Sequence, residues 1–123
     1  MFDQFKMMGA VAGLLKNREG IKAAGERIQV RLEELRIEGE SEGGLARAVV
    51  TGKMQVVSIT VSETLASGLG SGSDRSLAEG LIAEAVNDAL RQAQVAVTAA
   101  IDEEGESLGL PGLGEQLGQI LPR

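Results

Sequence analysis

The spacing of apolar residues divides the chain into segments of different periodicity. Over residues 3–35 apolar positions recur at alternating steps of three and four, which is typical of a long helix that packs along its length against another surface. The seam consists of Met7, Val11, Leu14, Ile21, Ile28, Leu32 and Leu35, interrupted at Arg18 and Gly25. Each glycine in this segment lowers helix propensity by about 1 kcal/mol. We therefore expect this helix to depend on a packing partner.

A period of two replaces the helical period after residue 35 and predicts β-strands. We expect three strands, at residues 35–41, 45–52 and 55–62. The turn signals between them are Ser41–Gly44 and the dipeptide Gly52-Lys53, in which the glycine is expected to supply a positive φ. Short strands joined by tight turns predict a three-stranded antiparallel meander with one buried face.

Alternation within the strands predicts which side chains share that buried face. In the second strand, the inward residues are Ala46, Ala48 and Val50, and Arg47 lies on the opposite face. In the third strand, the inward residues are expected to be Val57, Ile59 and Val61. The sheet is therefore expected to bury a small apolar face contributed by both strands.

The second half of the chain is predicted to be a linker followed by one long helix. Residues 63–75 are interpreted as a flexible linker because Gly and Ser dominate the second half of this segment. The helix is expected over residues 76–104, opening on a capping box at Ser76 and Glu79. Residues 105–123 form a Gly- and Leu-rich tail, either frayed or folded as a short amphipathic turn.

These elements predict an α+β fold of order α-β-β-β-α in a single domain over residues 1–104. Two long helices with apolar faces present more surface than a three-stranded sheet can cover, which favours a homodimer. Asn87 and Asp88 lie mostly off the apolar stripe of the last helix. We expect a hydrogen bond to a neighbouring loop from this pair rather than catalysis.

The composition of the 123-residue chain excludes several kinds of chemistry. It contains no His, Cys, Trp or Tyr. Without His or Cys it has no disulfide, no Ser–His or Cys–His catalysis and no zinc site with nitrogen or sulfur ligands. The longest apolar run, Met7–Leu15, is far shorter than the ~20 residues of a membrane span. We expect a cytoplasmic, non-enzymatic protein without cofactor, metal or small-molecule substrate.

The order of the elements, together with several short motifs, resembles the YbaB/EbfC family of bacterial nucleoid-associated proteins. The matching segments are Leu35–Ser41, Gly43–Gly52, Val57–Ile59 and Ala85–Ala89, with a weaker match at Leu110–Gly112. The resemblance implies a tweezer-like homodimer with long helices that binds double-stranded DNA in the nucleoid with little or modest sequence preference. It also implies effects on nucleoid organisation and gene expression, and no enzymatic activity.

Charge is distributed unevenly, and the distribution selects the first helix as the surface for a polyanion. The whole chain carries a formal charge of −6. Residues 1–36 carry +2, residues 37–75 carry −2 and residues 76–123 carry −6. The negative total therefore does not argue against DNA. It restricts a DNA contact to the N-terminal helix.

The cations of that helix are the candidate phosphate contacts. Lys6, Lys16, Arg27 and Arg31 lie within about 80° of one another around the helix. Arg18 with Lys22, and Arg27 with Arg31, are like-charge pairs four residues apart, whose repulsion an anion would relieve. The candidate DNA-binding residues are Lys6, Lys16, Arg18, Lys22, Arg27 and Arg31, with Arg47 of the second strand as a secondary candidate.

Two alternatives stand beside this interpretation. Glu19, Glu26 and Glu33 form an acidic stripe on the same helix, so the face can also be a solvated surface of mixed charge. Arg47 can instead be the cross-strand partner of Glu38 or Glu40. At the level of function, the alternative to DNA binding is a protein-interaction scaffold that uses its long helices to bind a partner protein.

Overall fold

The chain folds as a helix, a three-stranded sheet, a short helix and a long helix, in that order. The structure is a computed structural model and describes residues 18–70, 72–110 and 112. Its elements are α1 (Arg18–Glu34), β1 (Ile37–Glu40), a 3₁₀ turn (Glu42–Gly44), β2 (Ala46–Val50), β3 (Val56–Val61), α2 (Glu63–Gly68) and α3 (Gly72–Ser107). The α+β prediction is confirmed. The first part of the predicted N-terminal helix and most of the predicted tail lie outside the described residues.

The sheet is the predicted antiparallel meander, with strand order β1-β2-β3. Gly39 of β1 is in register with Ala48 of β2, and Ala48 is in turn in register with Ile59 of β3. Each strand lies inside its predicted range. In the turn between β1 and β2, Gly43 and Gly44 have φ of 72° and 68°, conformations that favour glycine.

The turn between β2 and β3 differs from the predicted two-residue hairpin. The N–H of Thr51 donates to the carbonyl of Gln55 (2.9 Å), so three residues, 52–54, separate the bonded pair. The positive φ falls on Met54, at 63°, and not on Gly52. Gly52 is needed for a different reason: a Cβ there would lie 2.9 Å from Cα and O of Leu32. The expectation for Gly52 was therefore wrong, because close approach of backbone selects this glycine.

The hydrophobic core lies between β2 and the alanine-rich side of α3. Its buried residues are Ala46, Ala48, Val50, Leu65, Ala78, Ala85, Ala89 and Ala93. The inward set predicted for β2 is confirmed, since all three residues are 0% exposed. Small side chains on both elements allow a close approach, which is tightest where Gly39 of β1 lies against the α3 backbone at Ala89.

The inward set predicted for β3 is only partly right. Val61 is half-buried and packs against the core, but Val57 and Ile59 are 49% and 45% exposed. The close contact of α3 with β1 and β2 explains the difference. β3 is the strand farthest from β1, so the helix leaves most of its apolar face uncovered.

The segment predicted to be a flexible linker is helical at both ends. Ser62 caps α2, because its hydroxyl accepts a hydrogen bond from the N–H of Leu65. Leu65 is buried, which anchors this short helix to the core. α3 already begins at Gly72, so Ser76 lies within the helix and does not cap it. Glu79 instead forms an ion pair with Arg75 (3.8 Å).

The last helix also continues past its predicted end. It reaches Ser107 and closes with Gly109 at φ 75°. The N–H of Leu110 donates to the carbonyl of Gly105 (2.8 Å), and that of Gly109 donates to Glu106 (3.0 Å). These two bonds are the Schellman pattern that ends many helices. Gly109 therefore supplies the stop signal, five residues after the predicted end at residue 104.

The described residues divide into two compact units. One comprises residues 32–97, with the sheet, α2 and most of α3. The other comprises most of α1 together with the chain from Thr98 onward. A single domain over residues 1–104 remains a prediction.

Asp88 connects α3 to the end of β1, as expected for a hydrogen bond to a neighbouring segment. Its carboxylate accepts from the backbone N–H of Glu40 (3.0 Å) and from the amide of Gln92 (3.0 Å), and it pairs with Arg91 (3.4 Å). The hydrogen bond from Glu40 is the main reason that the pKa of Asp88 is lowered from its ordinary value of 3.8. The carboxylate form therefore stabilises the fold.

The effect of Asp88 on stability is expected to depend on pH. A lowered pKa in the folded state stabilises the protein above pH 3.8, and this stabilisation is lost as pH falls through the folded-state value. Asp88→Asn should lower the thermal midpoint at pH 7, and the difference from the wild type should shrink as the pH approaches 3. Thermal unfolding by circular dichroism at several pH values measures this. A difference that stays constant over this range would contradict the assignment.

Candidate nucleic-acid interface

The cations of α1 occupy two opposite sides of the helix. Arg18 and Lys22 form one pair, and Arg27 and Arg31 form the other. Arg27 follows Arg18 by nine residues, and Arg31 follows Lys22 by nine. Nine residues rotate an α-helix by about 180°. The predicted basic surface of α1 is therefore two surfaces, and each has different neighbours.

Arg27 and Arg31 form ion pairs with the end of α3. The guanidinium of Arg27 lies 3.1 Å from the carboxylate of Glu104, which its Nε also reaches as a hydrogen-bond donor. Arg31 pairs in the same way with Glu103. Both arginines stay about half exposed. The repulsion between them is thus relieved by carboxylates of another helix.

Arg18 and Lys22 are exposed on the other side of α1. Within the part of the chain that the structure describes, neither forms an ion pair with an acidic residue. Their like charges lie one helical turn apart, and the nearby Glu19 and Glu26 do not pair with them. This pair is therefore the part of the described α1 surface that is electrostatically most favourable for an anion.

Arg47 takes the alternative role expected from its strand position. Its guanidinium lies 3.6 Å from the carboxylate of Glu38 and 3.7 Å from that of Glu40, both across the β1–β2 ladder. Glu40 is its direct register partner. All three side chains are more than half exposed. The two carboxylates give this part of the sheet a negative charge that Arg47 only partly compensates.

Two further sequence candidates, Lys6 and Lys16, lie outside the described residues. Two cations that were not considered also have partners: Lys53 pairs with Glu33 (2.7 Å), and Arg36 donates to the carbonyls of Glu33 and Leu35. Lys53 thus pairs with the last turn of α1, and Arg36 caps the end of that helix locally. Arg36 lies between α1 and β1, and Lys53 lies in the turn between β2 and β3. These positions next to predicted element ends are the signal in the sequence that could have identified them.

The acidic end of α3 belongs to the same compact unit as the arginines. Four acidic residues lie within residues 102–106, at the end of α3. In the structure, residues 18–31 and 98–110 together contain four cations and six acids, a formal charge of −2. The unit that carries the predicted DNA surface is therefore mildly acidic over its described residues. Any anion contact must be local.

The described residues were compared with the requirements of a metal site and of a membrane span. No group of three or more acidic side chains among residues 18–70 and 72–110 is arranged to hold a metal ion. No helix in the described part of the chain is long and apolar enough to cross a membrane.

Comparison with known protein families adds the functional context. A model of the YbaB/EbfC DNA-binding family matches residues 7–107. The match runs from the first predicted helix through the sheet to the end of α3. It thus includes all three strands and both long helices.

Proposed function

The chain belongs to the YbaB/EbfC DNA-binding family, whose members are nucleoid-associated, and from this membership we propose that it binds double-stranded DNA mainly through phosphate contacts. The binding has little or modest sequence preference, because lysines and arginines on a helix surface position a duplex without reading base edges. The protein acts in the cytoplasm at the nucleoid, affects nucleoid organisation and gene expression, and has no catalytic activity.

The contacts come from the cations of the N-terminal helix, with unequal contributions. The proposed contact residues are Lys6, Lys16, Arg18, Lys22, Arg27, Arg31 and, secondarily, Arg47. Arg18 and Lys22 contribute most among the described cations, because no described carboxylate forms an ion pair with either of them. This absence of a described ion pair is the observation on which the assignment rests. Arg27, Arg31 and Arg47 must exchange a carboxylate for a phosphate before they contribute.

The functional form is a homodimer. β3 lies at the edge of the sheet, and its Val56, Val57 and Ile59 are 45–49% exposed. An exposed apolar edge strand favours association, because pairing or packing with a second chain removes it from water. A dimer duplicates the cations and places phosphate contacts on two long helices, which is the tweezer-like arrangement that we propose.

The assignment of Arg18 and Lys22 is tested by neutralisation. Arg18→Gln with Lys22→Gln should weaken binding to duplex DNA at low salt. It should also reduce the slope of log K against log salt by about 0.9 per lost phosphate contact, up to about 1.8 for each protomer. Fluorescence anisotropy of a labelled duplex between roughly 50 and 200 mM salt measures both quantities.

A matched control separates local contacts from total charge. Arg75→Gln with Arg91→Gln removes the same charge from exposed ion pairs on α3. We expect this control to change the salt slope less. Equal effects of the two double variants would contradict the assignment to Arg18 and Lys22. If the wild type does not bind duplex DNA at micromolar concentration in about 50 mM salt, the proposed function is wrong and the scaffold alternative gains support.

A further inference from the structure

The ion pairs between α1 and α3 occupy the groups that a phosphate would use. Each guanidinium of Arg27 and Arg31 faces one carboxylate, that of Glu104 and that of Glu103 respectively. Arginine binds carboxylate and phosphate oxygens through the same planar set of donors. A phosphate and a glutamate therefore compete for one site on each arginine.

The exposure of these pairs makes exchange feasible. In one pair the side chains of Arg31 and Glu103 are 41% and 61% exposed; in the other, Arg27 is 54% exposed and Glu104 is 18% exposed. Exposed ion pairs stabilise a fold little, because water screens them. Their contribution to holding the two helices together is correspondingly small. A polyanion that brings several phosphates to the helix can displace the carboxylates without unfolding this unit.

The position of the two glutamates in α3 adds an independent argument. Glu103 and Glu104 lie near the C-terminal end of a helix that stops at Ser107. Negative side chains near a helix C-terminus oppose the helix dipole and are unfavourable there. The intrinsic preferences of α3 therefore do not account for these residues. The arginines of α1 do, since they supply the compensating charge.

We propose that Glu103 and Glu104 are intramolecular competitors of DNA phosphates for Arg27 and Arg31, and thereby set the affinity and salt dependence of binding. The inference rests on the proposed function, because it concerns the same DNA surface. While the carboxylates are in place, the duplex contacts the remaining cations of the helix. When phosphates displace them, Arg27 and Arg31 join the contact. The acidic end of α3 therefore keeps binding weak and reversible.

The competition is tested by removing the two charges. Glu103→Gln with Glu104→Gln should tighten binding to duplex DNA between about threefold and thirtyfold, because the two ion pairs no longer have to be broken. The salt slope should become steeper by up to about 1.8 for each protomer, as two arginines join the contact. Glu103→Gln alone, at the more exposed pair, should give part of the effect without risk to folding.

The matched control for this charge removal is Glu63→Gln with Glu106→Gln. Both glutamates are exposed, lie outside α1 and form no ion pair within the described residues. The control changes the net charge by the same amount, so it measures how much the overall charge of the protein contributes to DNA binding. Arg27→Gln with Arg31→Gln, made in both backgrounds, completes the test. It should weaken binding little in the wild type and should abolish the gain of the Glu103/Glu104 variant.

The outcomes separate the competition from DNA binding itself. If the Glu103/Glu104 variant binds DNA more tightly than the control, and neutralising Arg27 and Arg31 removes this gain, the competition is supported. If the wild type binds DNA and the Glu103/Glu104 variant binds no more tightly than the control, the competition is overturned and the proposed function stands. If none of these proteins binds DNA, both proposals are overturned.

Discussion

Replacing Gly39 with alanine is expected to destabilise the fold more than the same substitution at any other described glycine. An alanine Cβ at this position would overlap the backbone N and Cα of Ala89 and lie 2.7 Å from the carbonyl oxygen of Ala85. These are backbone atoms in the middle of α3, so no side-chain rotation can relieve the overlap. The strand and the helix must separate, and the buried alanines beside them lose their contacts.

The expected loss for Gly39→Ala is about 3 kcal/mol of unfolding free energy, at the upper end of the usual cost of overpacking. Urea unfolding followed by circular dichroism measures it. Gly80→Ala is a matched control in α3, because a Cβ at residue 80 meets nothing within 4 Å. The control should stabilise the protein by up to about 1 kcal/mol through helix propensity. If Gly39→Ala unfolds at the same urea concentration as the wild type, the described packing of α3 on β1 is wrong.

Charging the exposed face of β3 is expected to convert a dimer into monomers. Val57→Lys with Ile59→Lys places two cations on the apolar surface that we propose as the subunit interface. Burying unpaired charges is strongly unfavourable, so the dissociation constant should rise by roughly 100-fold or more. The fold of the monomer should persist, because both side chains are already about half exposed. Sedimentation at tens of micromolar measures the change in mass.

The matched control for this substitution uses apolar residues of α3. Leu77 and Val95 are 65% and 71% exposed, and Leu77→Lys with Val95→Lys adds the same two charges away from β3. We expect this control to remain a dimer. A wild type that sediments as a monomer would contradict the homodimer. Dissociation of both double variants would show that added charge, and not the β3 surface, causes the effect.

The sequence predicted the fold where local periodicity decides the structure. Alternation places Ala46, Ala48 and Val50 on one face of β2, and the structure buries all three. The same alternation assigned Ile59 to the inward face of β3, but it cannot tell how far a helix covers that face. Coverage depends on the path of α3, which the close approach at Gly39 draws toward β1. A pattern along one strand contains no information on that path.

Local signals also failed where two of them competed. The glycines and serines of residues 67–73 suggested a linker, whereas Ser62 and the buried Leu65 nucleate a short helix just before them. In the β2–β3 turn, the positive φ was expected at Gly52, but Met54 adopts it. The need for Gly52 comes from Leu32, twenty positions earlier in the chain. Contacts of this kind are visible only in the folded structure.

The sequence identified residues of the candidate site, but it did not show how these residues are arranged on the surface or which of them pair. Residue spacing identified the like-charge pairs of α1. It also placed an acidic segment near residue 104. The pairing of Arg27 with Glu104 and of Arg31 with Glu103 joins segments more than seventy residues apart. Net charge per segment therefore overstated the basic character of α1, because the counter-charges come from the other end of the chain.

The salt dependence of wild-type binding to duplex DNA tests the central claim most directly. The account predicts that log K falls linearly with log salt concentration and that two duplexes of unrelated sequence give similar affinities and slopes, because phosphates supply the contact. Anisotropy titrations with both duplexes, from about 50 to 200 mM salt, provide this measurement. Absence of binding at the lowest salt, or binding of one sequence with little salt dependence, would contradict the account.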